Sequence, residues 1–356
     1  MPDPKQQLND YLTATVSQNA SDLHLAVGRK PTLRIDGALV PMQDTPLLTV
    51  DVIEGMVNEL LRPDQKERLM QDKAIDFSHS FDNKARFRVN AYYQRGTMAV
   101  AFRFVPAKIK TLEELNLPPI LRDFTGISQG FVLVVGPAGH GKSTTLAAML
   151  DEINHQRTKH IITVEDPIEY LFTQDRCIIS QREVLSDTPT FHKALHSLLR
   201  QDPDVIMIGE MRDPISITAA LTAAETGHLV FSTLHTNSAS QTIDRIIDTF
   251  PPEQQSQASA QLAATLVGII SERLIPKIGG GRIPAFEIML ANSAIRNLIR
   301  ERKAYQVDLV IETGAQEGMV TLNHSLANLV KKKIISRENA EIYSLNSSEL
   351  RILLER

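Results

Sequence analysis

From about residue 131 to residue 234 the chain alternates two kinds of segment. Continuous apolar runs (FVLVV, IITVE, VIMIGE, LVFSTL) are separated by amphipathic ones (STTLAAMLDEIN, FHKALHSLLR, SITAALTAAETG). Runs apolar at every position suit strands covered on both faces, and segments of 3.6-residue period suit the helices that cover them. This half of the chain is therefore α/β, with a parallel sheet flanked by helices. The first hundred residues read differently. Short segments of alternating polarity (TLRIDGALVPM, ARFRVNAYYQ, MAVAFRFV) surround a helix-period stretch, VDVIEGMVNELLRPDQKERLM, which predicts a small α+β domain over residues 1–105. Asp36-Gly37 supplies a turn between two strand pieces. Residues 106–120, where Pro106, Pro118 and Pro119 interrupt a polar segment, read as a linker. The second domain then runs over 121–356, and beyond about residue 240 it is expected to be mostly helical, broken at IGGGRIP.

Length and composition narrow the functional classes. A chain of 356 residues suits about two domains, each with its own core. A net charge of -4 carries no basic footprint for nucleic acid, and 5% aromatic residues leave no basic-aromatic stripe for single strands, so a nucleic-acid motor is disfavoured. The opening MPDPKQQLNDYL has acids, amides and prolines where a signal peptide needs a basic patch and an apolar run. No apolar run approaches the roughly 18 residues of a spanning helix. The single cysteine, Cys177, rules out an intramolecular disulfide and a multi-cysteine zinc site. A cytoplasmic protein without zinc is the expectation.

The chemistry concentrates at one edge of the expected sheet. GPAGHGKST matches G-x-x-x-x-G-K-[ST] at Gly136, Gly141, Lys142 and Ser143, after a strand and before a helix. The loop of Gly136, Pro137, Ala138, Gly139, His140, Gly141, Lys142, Ser143 and Thr144 would cradle phosphate with backbone N–H groups and the positive helix end. Lys142 would reach the terminal phosphates and the Ser143 hydroxyl would ligate Mg²⁺. Doubly wound sheets bind ligands outside the carboxyl ends of their strands. Glu165 and Asp166 follow IITV, Glu210 follows VIMIG and His235 follows LVFSTL, all at that edge. Glu210 suits Mg²⁺ or its water shell, Glu165 a base for the attacking water, and His235 a phosphate sensor. The alternatives are helix-capping or surface acids and a structural histidine. His228, at the other end of the same strand about 20 Å away, is expected to be structural or at a subunit contact. HKALH lacks the glutamate of a zinc protease motif, so His192 and His196 read as a solvated face opposite Phe191, Leu195, Leu198 and Leu199. The lysines at 331–333 read as a solvated helix end.

Four motifs, GPAGHGKSTTLAAML, ITVEDPIEY, DPDVIMIGEMRD and TAAETGHLVFSTLHTNSA, resemble in order and spacing those of the type II and type IV secretion ATPases. SDLHLAVGRKPTLRIDG, ARFRVNAY, ISQREV, KIGGGRIPAFEIML and AIRNLIRER further resemble the PilT family, the retraction ATPases of type IV pili, with the likeness weakening after about residue 340. The resemblance implies a PAS-like amino-terminal domain before a RecA-like P-loop ATPase domain. It implies a homohexamer with ATP and Mg²⁺ at subunit interfaces, acting on an inner-membrane pilus platform protein from the cytoplasmic face at the pilus base, alone or beside a second retraction ATPase. It implies that Lys142 and Ser143 hold phosphate and Mg²⁺, that Glu165 is the catalytic base and that Glu210 serves metal and water. His228 and His235 fall in the family's histidine box. Arg88 and Arg103 would complete the site from the amino-terminal domain, surface salt bridges being their alternative role.

Extension and secretion ATPases of this superfamily usually carry a four-cysteine zinc motif, which this chain lacks. AIRNLIRER is associated with retraction. It would pack Ala294, Ile295, Leu298 and Ile299 on one helical face and place Arg296 and Arg300 four residues apart on another. The loop departs from the family at Ala138 and His140, where Thr and Ser are usual. His140 is expected to point to solvent or to a neighbouring subunit. The expected activity is ATP hydrolysis driving pilus retraction and twitching motility. The alternatives are an accessory retraction ATPase, a pilus extension or type II secretion ATPase, or a slow nucleotide-dependent switch.

Overall fold

The apolar side chains of the early strands recur at every second residue, and that alternation gives them one common face to bury. The computed structural model describes residues 3–35, 37–81, 85–106, 108–211 and 213–355; Asp36 of the expected turn and Arg212 of the second acidic motif lie outside them. By contact the chain forms two units, Met1–Lys108 with Pro167–Leu171, and Ile109–Asp166 with Phe172–Arg356.

The first unit runs α1 (Pro4–Ser17), β1 (Asp22–Ala26), β2 (Thr32–Ile35), β3 (Ala38–Pro41), α2 (Val50–Leu60), α3 (Pro63–Asp72), β4 (Ala74–Phe81), β5 (Ala85–Gln94) and β6 (Thr97–Pro106). Its strands form an antiparallel sheet of order β3-β2-β1-β6-β5-β4. Leu23, Leu25, Leu33, Phe87 and Phe102 bury one face against Leu12, Ile53 and Met56 of the helices. The stretch read as one helix is two, because Pro63 opens α3 at a position where its missing N–H costs nothing, and the Gln65 side chain accepts from the Arg62 N–H at 3.0 Å.

The second unit contains α4 (Ile120–Gly126), β7 (Gly130–Val135), α5 (Lys142–Gln156), β8 (His160–Glu165), β9 (Ile178–Glu183), α6 (Phe191–Leu198), β10 (Val205–Ile208), α7 (Pro214–Glu225), β11 (Leu229–Leu234), α8 (Ala239–Asp248) and α9 (Pro252–Thr265). It continues with β12 (Leu266–Pro276), β13 (Arg282–Leu290), α10 (Ser293–Arg300), α11 (Val307–Thr313), α12 (Leu322–Lys331), α13 (Arg337–Tyr343) and α14 (Ser347–Glu355). The sheet order is β13-β12-β7-β11-β10-β8-β9, parallel except for β13. Every residue of β7, β10 and β11 is buried, as their unbroken apolar runs require. Residues 109–120 belong to this unit, with Leu112 and Leu117 buried in its core. Among the described residues no helix is long and apolar enough to cross a membrane.

Two sequence expectations, for Ala294 and Leu199, are corrected here, and the region beyond residue 240 is refined. Beyond residue 240 the chain is mostly helical, as expected, but the break is longer than IGGGRIP alone, since residues 266–290 form the long β12–β13 hairpin. Its turn needs the left-handed backbone of Gly279, Gly280 and Gly281, with φ of 86°, 103° and 73°. In α10, Ile295 and Ile299 are fully buried but Ala294 is exposed. On the other face, Arg296 Nη1 donates to the carbonyls of Ala263 and Ala264 at the end of α9, at 2.5 and 2.8 Å. Leu199, placed on the buried face of α6, is the residue after the helix and is 40% exposed, while Leu195 and Leu198 are buried.

Candidate functional site

The site grows from the carboxyl end of β7. After Val135 the chain turns through Gly136, Gly139 and Gly141, at φ of 144°, 77° and 100°, values that side-chain-bearing residues rarely adopt. α5 begins at Lys142 with no side chain capping its amino end, which leaves first-turn N–H groups for an anion. Lys142 is buried, and its Nζ donates to the carbonyls of Gly136 and Pro137 at 2.8 and 2.9 Å. The same Nζ lies 3.2 Å from Nδ1 of His235, whose Nε2 is 3.3 Å from Oε1 of Glu210. An imidazole that accepts from Lys142 at Nδ1 carries its proton on Nε2, where it can donate to Glu210. Three residues separated by up to 93 positions thus form one chain of polar contacts across the ends of β7, β10 and β11.

Glu165 ends β8 nearly buried, and its Oε1 accepts from the Thr163 hydroxyl at 2.6 Å and the Gln181 amide at 3.3 Å. The Gly209 N–H bonds the Val164 carbonyl at 2.9 Å, which sets Glu210 beside the end of β8. A Cβ on Gly209 would fall 3.1 Å from that carbonyl, so a side chain there would press on the end of β8. Ser143 and Thr144 occupy the first turn of α5, both partly exposed. Ala138 and Gly139 are exposed at the loop tip.

His140 does not simply point to solvent, one of the two placements the sequence led one to expect, but is held within its own chain. Its Nδ1 accepts from the Leu274 N–H of β12 at 3.0 Å, and its ring meets that of Tyr343 edge-on at 6.3 Å. Burial, then the nearby Arg273, Arg282 and Lys142, hold its pKa below the ordinary histidine value, consistent with a neutral acceptor at Nδ1. His228, at the far end of β11, bonds the Ala223 carbonyl through Nδ1 at 2.8 Å and serves the turn after α7. His192 lies 3.1 Å from Asp213, the amino cap of α7. Lys331, Lys332 and Lys333 are exposed.

Arg88 and Arg103 belong to the first unit, where they face each other directly across β5 and β6. Opposed like charges repel, and carboxylates offset them. Asp22 meets Arg103 at 3.1 Å and Arg34 at 3.8 Å, while Glu169 and Asp76 lie 3.8 and 4.0 Å from Arg88. The arginines therefore make surface ion pairs in this structure.

β12, which the sequence did not disclose as a strand, supplies functional contacts of its own. Ser271 Oγ donates to the Asn237 carbonyl at 3.0 Å and Arg273 Nη2 to Asn237 Oδ1 at 3.3 Å, fixing the loop that follows His235. Glu287 of β13 accepts the Ala239 N–H at the start of α8, at 2.6 Å. Glu272 is buried beneath the phosphate loop and accepts from the Thr145 hydroxyl at 2.7 Å. Burial pushes the carboxyls of Glu272 and Glu287 each up to about 7. The polar-then-apolar run SERLIP does not mark a strand by its pattern, and no local motif marks a glutamate as the support of a loop about 130 residues earlier.

Fold and site together define a RecA-like P-loop ATPase. Residues 4–281 match the family model described as type II/IV secretion system protein. The chain is 46% identical to the type IV pilus retraction ATPase PilT of Pseudomonas aeruginosa, over 94% of this chain and 96% of that one. It is 43% identical to a twitching motility protein of Neisseria gonorrhoeae, over 90% of this chain and 86% of that one. A crystal structure of the pilus retraction motor PilT with bound ADP superposes with a TM-score of 0.89 at 44% identity, covering 97% of this chain and 99% of that one. The chain belongs to the type II/IV secretion ATPases and, within them, to the PilT family.

Proposed function

We propose that this protein is an ATP-hydrolysing homohexameric motor that powers type IV pilus retraction and hence twitching motility. The observation that carries the reading is the contact chain from Lys142 through His235 to Glu210, which ties the phosphate loop to the ends of two neighbouring strands. Loop N–H groups and Lys142 would hold the β- and γ-phosphates, with Lys142 exchanging its loop carbonyls for phosphate oxygens. Ser143 and Glu210 supply a hydroxyl and a carboxylate at the loop mouth, a hard-oxygen set that fits Mg²⁺, directly or through water. Mg²⁺ there would offset charge on the phosphates. Glu165 would take the proton of the attacking water once the contact to Thr163 loosens, and His235 would report the γ-phosphate to Glu210. Arg88 and Arg103 would stabilise phosphate charge after leaving their present carboxylate partners. Such a motor would work at the cytoplasmic face of the inner membrane on a pilus platform protein, alone or beside a second retraction ATPase.

Steady-state ATPase with Glu165→Gln and Glu210→Gln tests the enzyme reading. Each substitution should lower kcat by about 10²-fold or more while nucleotide still binds. A wild-type hexamer as inactive as both variants would instead leave a slow switch. A deletion strain tests the direction of work: excess surface pili with lost twitching supports retraction, and bald cells would mean extension.

A further inference from the structure

Residues 271–274 of β12 lie between the phosphate loop and the loop after β11, and strand alternation turns their side chains to opposite sides. Ser271 and Arg273 hold Asn237, while Glu272 turns to the phosphate loop. Glu272 is 2% exposed and Thr145, whose hydroxyl it accepts, is 1% exposed. The glycines show how close the fit is. A Cβ on Gly141 would stand 2.4 Å from the Glu272 carboxylate, and one on Gly136 would stand 2.3 Å from the Glu272 carbonyl oxygen. Gly139, between them, has nothing within 4 Å. The two motif glycines thus rest on one residue, and the loop tip between them is open. An apolar side chain of similar volume would avoid the cost of burying a carboxyl. What it could not do is hold the Thr145 hydroxyl in the first turns of α5.

Resting on the reading of this loop as the phosphate site, we propose that Glu272 is a positioning residue of the nucleotide site. Its carboxylate sets the start of α5 through Thr145 Oγ1 and the Gly141 backbone, so that Lys142 and Ser143 meet the phosphates from a fixed loop. Glu272 acts through these residues and touches neither nucleotide nor reacting atoms. Losing such support loosens the loop in ground state and transition state alike, so the effect falls on KM rather than kcat.

Full-length wild type, Thr145→Val, Glu272→Leu, their double variant, Glu272→Gln and Lys142→Ala are titrated with N-methylanthraniloyl-ADP, and KM and kcat for ATP are measured. Thr145→Val and Glu272→Leu should each weaken binding and raise KM about tenfold, with kcat changed less than about threefold. The double variant should be no worse than either single one, because both remove one interaction. Glu272→Gln keeps the shape and an accepting oxygen, and should recover affinity to within about threefold of wild type. Wild-type affinity in Thr145→Val or in folded Glu272→Leu overturns the proposal, as does a lowered melting temperature with unchanged affinity. Should Glu272→Leu not fold, Thr145→Val decides alone. If Lys142→Ala binds nucleotide as well as wild type, the phosphate-site reading itself fails and the proposal goes with it.

Discussion

Two buried carboxyls under the functional loops make stability depend on pH in a direction opposite to that of exposed acids. Glu287 accepts one backbone N–H, yet burial and the nearby Asp308 and Glu349 raise its pKa to about 7, against the pull of Arg273. A carboxyl raised in the folded state binds its proton more tightly there than in the unfolded chain. Its contribution to stability is therefore full below the unfolded value of 4.5 and is lost as pH rises through about 7. Glu287→Gln keeps an acceptor for Ala239 and cannot titrate. Between pH 5 and pH 8 the urea stability of wild type should fall relative to this variant by roughly 2 kcal/mol. A parallel pair of curves would show that Glu287 does not titrate in that window. At the same scale, Lys142, Ser143, Glu165, Glu210 and His235 were legible because each belongs to a short motif at a strand end. The partner of His140 was not, because it lies 134 residues away on an element the sequence hid.

Elements were legible in proportion to how fully burial dictated their pattern. β7, β10 and β11 read directly, since a strand covered on both faces has no polar position to blur it. β12 and β13 did not, because half-polar segments such as SERLIP fit a helix as well as a strand until the glycine turn is seen to fold them back. The AIRNLIRER helix shows a different limit. Its apolar spacing was visible, but nothing local reveals that Arg296 caps another helix. Replacing Arg296 by Met removes the donor to two terminal carbonyls of α9, which should cost about 1 kcal/mol and lower the melting temperature by about 2–4 °C. Lys, a single point donor on a flexible stem, should recover part of the loss. A melting temperature unchanged in the Met variant would mean that water satisfies those carbonyls equally well.

Across the whole molecule, the order of strands in space departs from their order in the chain, and this decides when the site can exist. β7 lies between β11 and β12, both made long after it. The phosphate loop takes its shape from Glu272 and Leu274, about 130 residues downstream of Thr145. At synthesis rates of about 5–20 residues per second, the loop leaves the ribosome roughly 6–26 seconds before the strand that supports it. During that interval the nascent chain holds a complete phosphate motif without its backing, so ATP favours folding less before β12 docks than after it. Nucleotide gains its full hold on the native state once β12 has docked beside β7, so the last part of the loop's support to be synthesised also sets how strongly ATP stabilises the fold.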